Sequence, residues 1–115
     1  MAKQISGVIP PVITSFDQNG NFNEKSQREV IRFLLPHIQG FYPVGTYGSG
    51  PLMTTEERKK VAEVIIDEVA GKVPVIIHVG AASTAQTVEL ARHAEAAGAD
   101  AVAAIPPYYY KYPEK

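Results

Sequence analysis

Pro74-Val75-Ile76-Ile77-His78-Val79-Gly80 restricts the fold more than any other stretch of the chain. It is nearly unbroken in apolar, mostly β-branched residues, and it is far shorter than the ~20 residues of a membrane span. A strand with one face in water alternates apolar and polar residues. This run does not, so it suits a strand of a parallel sheet covered on both faces. Parallel neighbours cannot be joined by tight hairpins and need crossover segments, usually helices.

The rest of the chain supplies them. Gly7-Val8-Ile9-Pro10-Pro11-Val12-Ile13-Thr14 is a short β-branched run whose prolines predict a bend or a sheet edge. A turn cluster, Asp17 to Asn21, follows, and Asn23 then caps a helix carrying Val30, Ile31, Phe33, Leu34 and Ile38 at helical spacing. Pro36 ends or kinks that helix, because it lacks an N–H and clashes with the preceding turn. Phe41 to Val44 predicts a second strand. A second helix is expected from Thr55 to Ala70, with Val61, Val64, Ile65, Glu68 and Val69 on one face and Gly71 as a left-handed stop. A third is expected between a Ser83/Gln86 capping box and Gly98. Its face of Val88, Leu90, Ala91, Ala94 and Ala97 is small enough for close packing on a sheet. Ala101 to Ile105 is a fourth strand.

Strands starting near residues 7, 41, 73 and 101 give the order β-α-β-α-β-α-β. That order implies a parallel α/β fold with right-handed crossovers. No linker or low-complexity tract divides residues 1–115, so the chain reads as one domain without an internal boundary. The net charge of −1, with Lys and Arg spread along the chain, suggests neither nucleic acid nor an anionic membrane surface as a partner. The absence of cysteine excludes disulfides and thiolate metal sites and fits a reducing cytoplasm. The N-terminal residues lack the apolar core of a signal peptide.

Function is expected at the junction Pro43-Val44-Gly45-Thr46-Tyr47-Gly48-Ser49-Gly50-Pro51-Leu52-Met53-Thr54-Thr55-Glu56-Glu57-Arg58. An apolar run stops, small residues turn the chain, and a helix starts at a Thr54/Glu57 capping box. Ligands of α/β proteins collect at the carboxyl ends of strands, where such junctions lie. Thr46 and Tyr47 are the polar side chains this loop offers. The residues alone leave two readings open, a binding loop or a tight connection with glycines chosen for backbone shape. No Gly-Lys-Ser/Thr ending supports a phosphate loop.

Four motifs in fixed order resemble one family, the pyruvate-dependent class I aldolases and lyases. They are Gly7 to Phe16, Gly45-Thr46-Tyr47-Gly48, Thr54 to Arg58, and Pro107-Tyr108-Tyr109. Each is weak alone; their joint order and spacing over almost the whole chain make the signal. The family includes dihydrodipicolinate synthase, N-acetylneuraminate lyase and 2-keto-3-deoxygluconate aldolase. The resemblance implies a (β/α)₈ TIM barrel of typically about 250 residues, of which this chain covers the first four β-strands and three helices. It implies condensation of pyruvate with a lysine to a Schiff base, which then reacts as an enamine with an aldehyde, or the reverse reaction. No metal or cofactor is implied. Gly45, Thr46, Tyr47 and Gly48 match the loop that holds the pyruvate carboxylate. Thr46 matches a participant in a tyrosine proton relay. Tyr109 matches the tyrosine that reaches a neighbouring subunit's site, so a homo-oligomer, dimer or tetramer, is expected.

Two departures stand beside the resemblance. Tyr47 occupies the place of a second threonine, and Ser49 a place often held by glutamate. None of Lys3, Lys25, Lys59, Lys60, Lys72, Lys111 or Lys115 matches the Schiff-base lysine, which belongs to later strands. Tyr110 and Tyr112 read as interface residues. His78, late in an apolar strand, reads as a hydrogen-bonded structural histidine before a base. His37 and His93 read as solvated, as does the face carrying Glu56, Glu57, Arg58, Lys59 and Lys60.

Overall fold

The computed structural model describes residues 3–108 and residue 113. Three helices, α1 (Glu24–Leu34), α2 (Thr55–Val69) and α3 (Thr84–Ala97), alternate with extended segments. Each helix starts where its cap predicts. The Asn23 side chain accepts from the Ser26 N–H at 3.1 Å, Thr54 from Glu57 at 3.2 Å, and Ser83 from Gln86 at 3.3 Å. Both capping boxes are one-sided among the described residues: only the Thr54 and Ser83 side chains make their cap bonds, and the Gln86 amide instead donates to Thr55 Oγ1 at 2.8 Å and links α3 to α2.

The helix ends follow the same logic with one correction. α1 stops at Leu34, and Pro36 sits in a short 3₁₀ turn, Leu35–His37. Gly98 closes α3 at φ +96°. At the end of α2 the left-handed turn begins one residue before Gly71, at Ala70 with φ +52°.

The sheet is less regular than the sequence suggests. Only β1 (Ile76–His78) and β2 (Ala101–Ala103) form a ladder among the described residues, parallel, with Ile77 opposite Val102. The runs expected as first and second strands are present as extended segments joined by single parallel bridges, Pro11 to Tyr42 and Phe41 to Val75. Proline is the physical reason. Pro10, Pro43 and Pro74 have no N–H to donate, and the ladder stops beside each, whereas Pro11 is itself the bridged residue. The hydrogen bonds that remain still hold the four segments side by side in chain order. Tyr42 N–H donates to Pro10 O at 3.1 Å, Ile76 N–H to Phe41 O at 2.9 Å and Val79 N–H to Ala103 O at 2.8 Å.

The core lies between this sheet and the helices. Ile31 of α1, Val61, Ile65 and Val69 of α2, and Leu90 and Ala94 of α3 pack with Phe41, Val75, Ile77 and Val79. Because strand side chains alternate, Ile76, His78 and Gly80 face the other side. Phe33, expected on the inner face of α1, is exposed. On the outer surface Arg28 pairs with Asp67 and Glu68, and Arg32 with Glu68, tying α1 to α2. Hydrogen bonds from Arg32 and then Arg28 hold the Glu68 carboxyl below its usual range. His93 is half-buried and lies 2.8 Å from Glu63, so it is a helix–helix contact and not a solvated residue.

Candidate active site

The second extended segment ends at Val44, whose φ of +66° lies in the left-handed region. A β-branched residue is rarely found there, because its Cβ crowds the backbone. The Val44 side chain is buried in the core, and that packing holds the conformation. The chain then turns. Ser49 N–H donates to Thr46 O and Gly50 N–H to Gly45 O, each at 3.0 Å. A 3₁₀ turn at Gly50–Leu52 leads into α2.

Two glycines of the loop are fixed by space. A Cβ on Gly50 would be driven into the Val44 carbonyl, and one on Gly48 would lie 2.9 Å from Val12 O and from Val44 N. Both neighbours are backbone and cannot step aside. Thr14 Oγ1 donates to the Gly48 carbonyl at 2.5 Å and pins the loop to the first extended segment. Among the described residues, the N–H groups of Thr46, Tyr47 and Gly48 have no backbone acceptor. Successive free N–H groups in a turn form a concavity suited to an anion.

Of the residues expected in the site, Gly45 and Gly48 are buried, while Thr46 and Tyr47 are exposed, Tyr47 at 73%. They lie together in one turn. Tyr109, with Tyr110 and Tyr112, lies outside the described residues. The described part of that motif, Pro107-Tyr108, is exposed.

Three residues beside the loop take a part that sequence reasoning did not give them. Gln27 of α1, fully buried, accepts from Ser15 N–H at 2.8 Å and donates to Ile13 O at 3.1 Å. It brackets Thr14, the residue that holds Gly48. Thr14 is the second. The third is Arg58, expected on a solvated face but only 3% exposed. Its guanidinium donates from Nη2 to His78 O and from Nη1 to Gly80 O, both at 2.9 Å, at the carboxyl end of β1. Burial pushes its pKa down, and the nearby Tyr108 opposes that shift. Spacing held the signal. Arg58 precedes Val61, Ala62 and Ile65 by three, four and seven residues, and so stands in the buried stripe of α2.

His78 is 4% exposed and lies edge-on to Tyr42, with ring centroids 6.0 Å apart. Burial lowers its pKa most and the Arg58 charge lowers it further, with the nearby Val44 backbone acting the other way. The ring is therefore held neutral. Its Nδ1 and the Arg58 Nε are buried without a hydrogen-bond partner among the described residues.

This parallel βα chain matches known proteins. The profile of the Dihydrodipicolinate synthetase family matches residues 4–115. The chain belongs to that family. It is 43% identical over 112 residues to 4-hydroxy-tetrahydrodipicolinate synthase of Bartonella quintana (strain Toulouse), covering 96% of this chain and 38% of that protein. It is 44% identical over 110 residues to the probable 2-dehydro-3-deoxy-D-pentonate aldolase YjhH of Escherichia coli K12, covering 95% of this chain and 36% of the relative. Among solved structures, YagE of E. coli K12, a prophage protein of the dihydrodipicolinic acid synthase family in complex with pyruvate, superposes with a TM-score of 0.92. That match has 36% identity over 96% of this chain and 38% of YagE. A partial (β/α)₈ fold fits these neighbours. This member of the dihydrodipicolinate synthetase family thus spans less than two-fifths of the relatives it matches. Among its described residues no helix is long and apolar enough to cross a membrane.

Proposed function

We propose that this chain is the first half of a (β/α)₈ barrel that condenses pyruvate with an aldehyde, or cleaves such an adduct, through a lysine Schiff base. The leading reading is 4-hydroxy-tetrahydrodipicolinate synthase. A 2-keto-3-deoxy sugar acid aldolase is its main rival, supported by the identity to the pentonate aldolase, with N-acetylneuraminate lyase next. Gly45 to Gly48 holds the pyruvate carboxylate, Thr46 binds it and passes a proton toward the tyrosines, and Tyr109 completes the relay at a subunit contact of a cytoplasmic homo-oligomer. The observation that carries the reading is the glycine turn itself. Its conformation is set by Val44 and Thr14, and its N–H groups at Thr46, Tyr47 and Gly48 are left to an anion. Its place after a parallel strand is where such folds bind ligands.

Borohydride trapping with pyruvate, read by intact mass, tests the proposal. It is run on the 115-residue chain and on a longer polypeptide carrying it. An adduct on the longer form alone agrees with the reading. An adduct on the short chain means that one of its own lysines serves, and no adduct on either removes Schiff-base chemistry.

A second reading, a non-catalytic half-barrel that self-associates, is favoured by one observation. Open apolar grooves of about 400 Å³ and 600 Å³ flank the sheet, one between α3 and β2 at Val102, the other between α1 and residues 10–13. Such edges invite pairing. A stable, cooperatively unfolding monomer in sedimentation and melting experiments removes that reading.

A further inference from the structure

We infer that Arg58 is a positioning residue for the substrate carboxylate, a buried cation that fixes the end of β1 and lends positive potential to the Gly45–Gly48 turn. The inference rests on the proposed function and assigns a source for its anion preference. Arg28 and Arg32, on the surface, sit against carboxylates, whereas Arg58, buried, has no acidic group within ion-pair distance among the described residues. Its bonds go to two backbone carbonyls, and its Nε has no partner among them. A buried guanidinium without a counter-ion is expensive. It also stands in the first turns of α2, where the helix dipole disfavours a cation. Stability alone does not select such an arrangement. An anion seated in the turn that leads into the same helix accounts for it.

The connection from Arg58 to the turn is short. Arg58 holds His78 O, and His78 N–H donates to Pro43 O at 3.2 Å. Pro43 and Val44 are the residues from which the turn springs. No carboxylate lies within ion-pair distance to quench the Arg58 charge among the described residues. The ligand class that follows is a small carboxylate with one negative charge, favoured over its neutral isostere.

The test compares binding of pyruvate and of pyruvamide, its uncharged analogue, by calorimetry or ligand-observed NMR. The variants are Arg58→Met and Arg58→Lys, each first checked for folding by circular dichroism. Wild type is expected to prefer pyruvate by roughly tenfold or more, the scale of one added charge–charge interaction in a partly buried site. Arg58→Met lowers that preference severalfold, leaving the part supplied by the N–H groups of the turn. Arg58→Lys keeps the preference while both affinities fall, since the charge stays and the bidentate grip on the carbonyls is lost. A ratio unchanged in Arg58→Met, or collapsed in Arg58→Lys, overturns the inference. The lysine variant decides it even where the methionine variant does not fold. Wild type binding both compounds alike refutes this inference and leaves the proposed function standing. Wild type binding neither compound refutes this inference, and the borohydride experiment on the longer polypeptide then decides the proposed function separately.

Discussion

Replacing Gln27 tests whether the site turn is held from the core. The side chain is fully buried and makes two hydrogen bonds to backbone, accepting from Ser15 N–H and donating to Ile13 O. Gln27→Ala removes both and leaves one donor and one acceptor without partners. Each orphan costs about 1–3 kcal/mol when water cannot reach it. Ser15 is half-buried and Ile13 exposed, so water recovers part of that loss. The vacated volume adds a further penalty of about 1 kcal/mol. A total near 3 kcal/mol, read by urea unfolding, is expected.

Gln27→Glu separates the two bonds. The carboxylate still accepts from Ser15 but repels the Ile13 carbonyl, whereas the protonated acid donates to it. The folded pKa of the carboxyl introduced at position 27 is therefore raised above the unfolded value of about 4.3. Its stabilising contribution is full below that unfolded value and is lost as pH rises through the folded pKa. Stability of Gln27→Glu relative to wild type should thus improve as pH falls from 7 toward 4. A Gln27→Ala loss under about 1 kcal/mol, or a Gln27→Glu difference independent of pH, refutes the bracketing of Thr14 by Gln27.

Other substitutions probe the turn, the loops and the buried histidine. Gly50→Ala drives a Cβ into the Val44 carbonyl, so it should destabilise by about 3 kcal/mol or more in urea unfolding and abolish pyruvate binding. Gly20→Ala meets no neighbour and should lose only about 1 kcal/mol through its positive φ. Ala70→Gly relieves a left-handed residue at the exposed end of α2 and should raise stability by about 0.5–1 kcal/mol, seen as a higher Tm. His78 has a folded pKa below its unfolded value, so its contribution is present above about pH 6.5 and is lost as pH falls through the folded pKa. Between pH 7 and 5 wild type should lose stability more steeply than His78→Asn, and equal slopes would show that His78 protonates freely in the fold.

The helices were legible because caps and stops are local. Asn23, Thr54, Ser83 and Gly98 each satisfy groups within their own turn, and no distant partner is needed to read them. The site turn was legible too, since Gly45, Gly48 and Gly50 stand between an apolar run and a capping signal. Strand regularity was not. Pro10, Pro43 and Pro74 are compatible with an extended chain, but which ladder bonds they remove depends on the partner segment. Arg58 and Gln27 were hidden by chemical type. A charged or amide residue reads as surface unless its position in the helical stripe is weighed above its polarity. Their partners, His78 O, Gly80 O, Ser15 N–H and Ile13 O, are distant in sequence or on another element.

Val44 gives the turn a kinetic character. A residue kept in a sparsely populated backbone region by its packed side chain leaves the turn little freedom to relax before a ligand arrives. Ligand capture then requires no folding of the loop, so association should be a single fast step whose rate scales with ligand concentration and shows no plateau. The entropy of ordering the loop is already lost when the domain folds, and binding should be correspondingly economical in entropy. The same rigidity makes the turn slow to accept a ligand of different shape. Change of substrate in proteins built this way is then expected in the exposed side chains at positions 46 and 47, above a backbone that stays fixed.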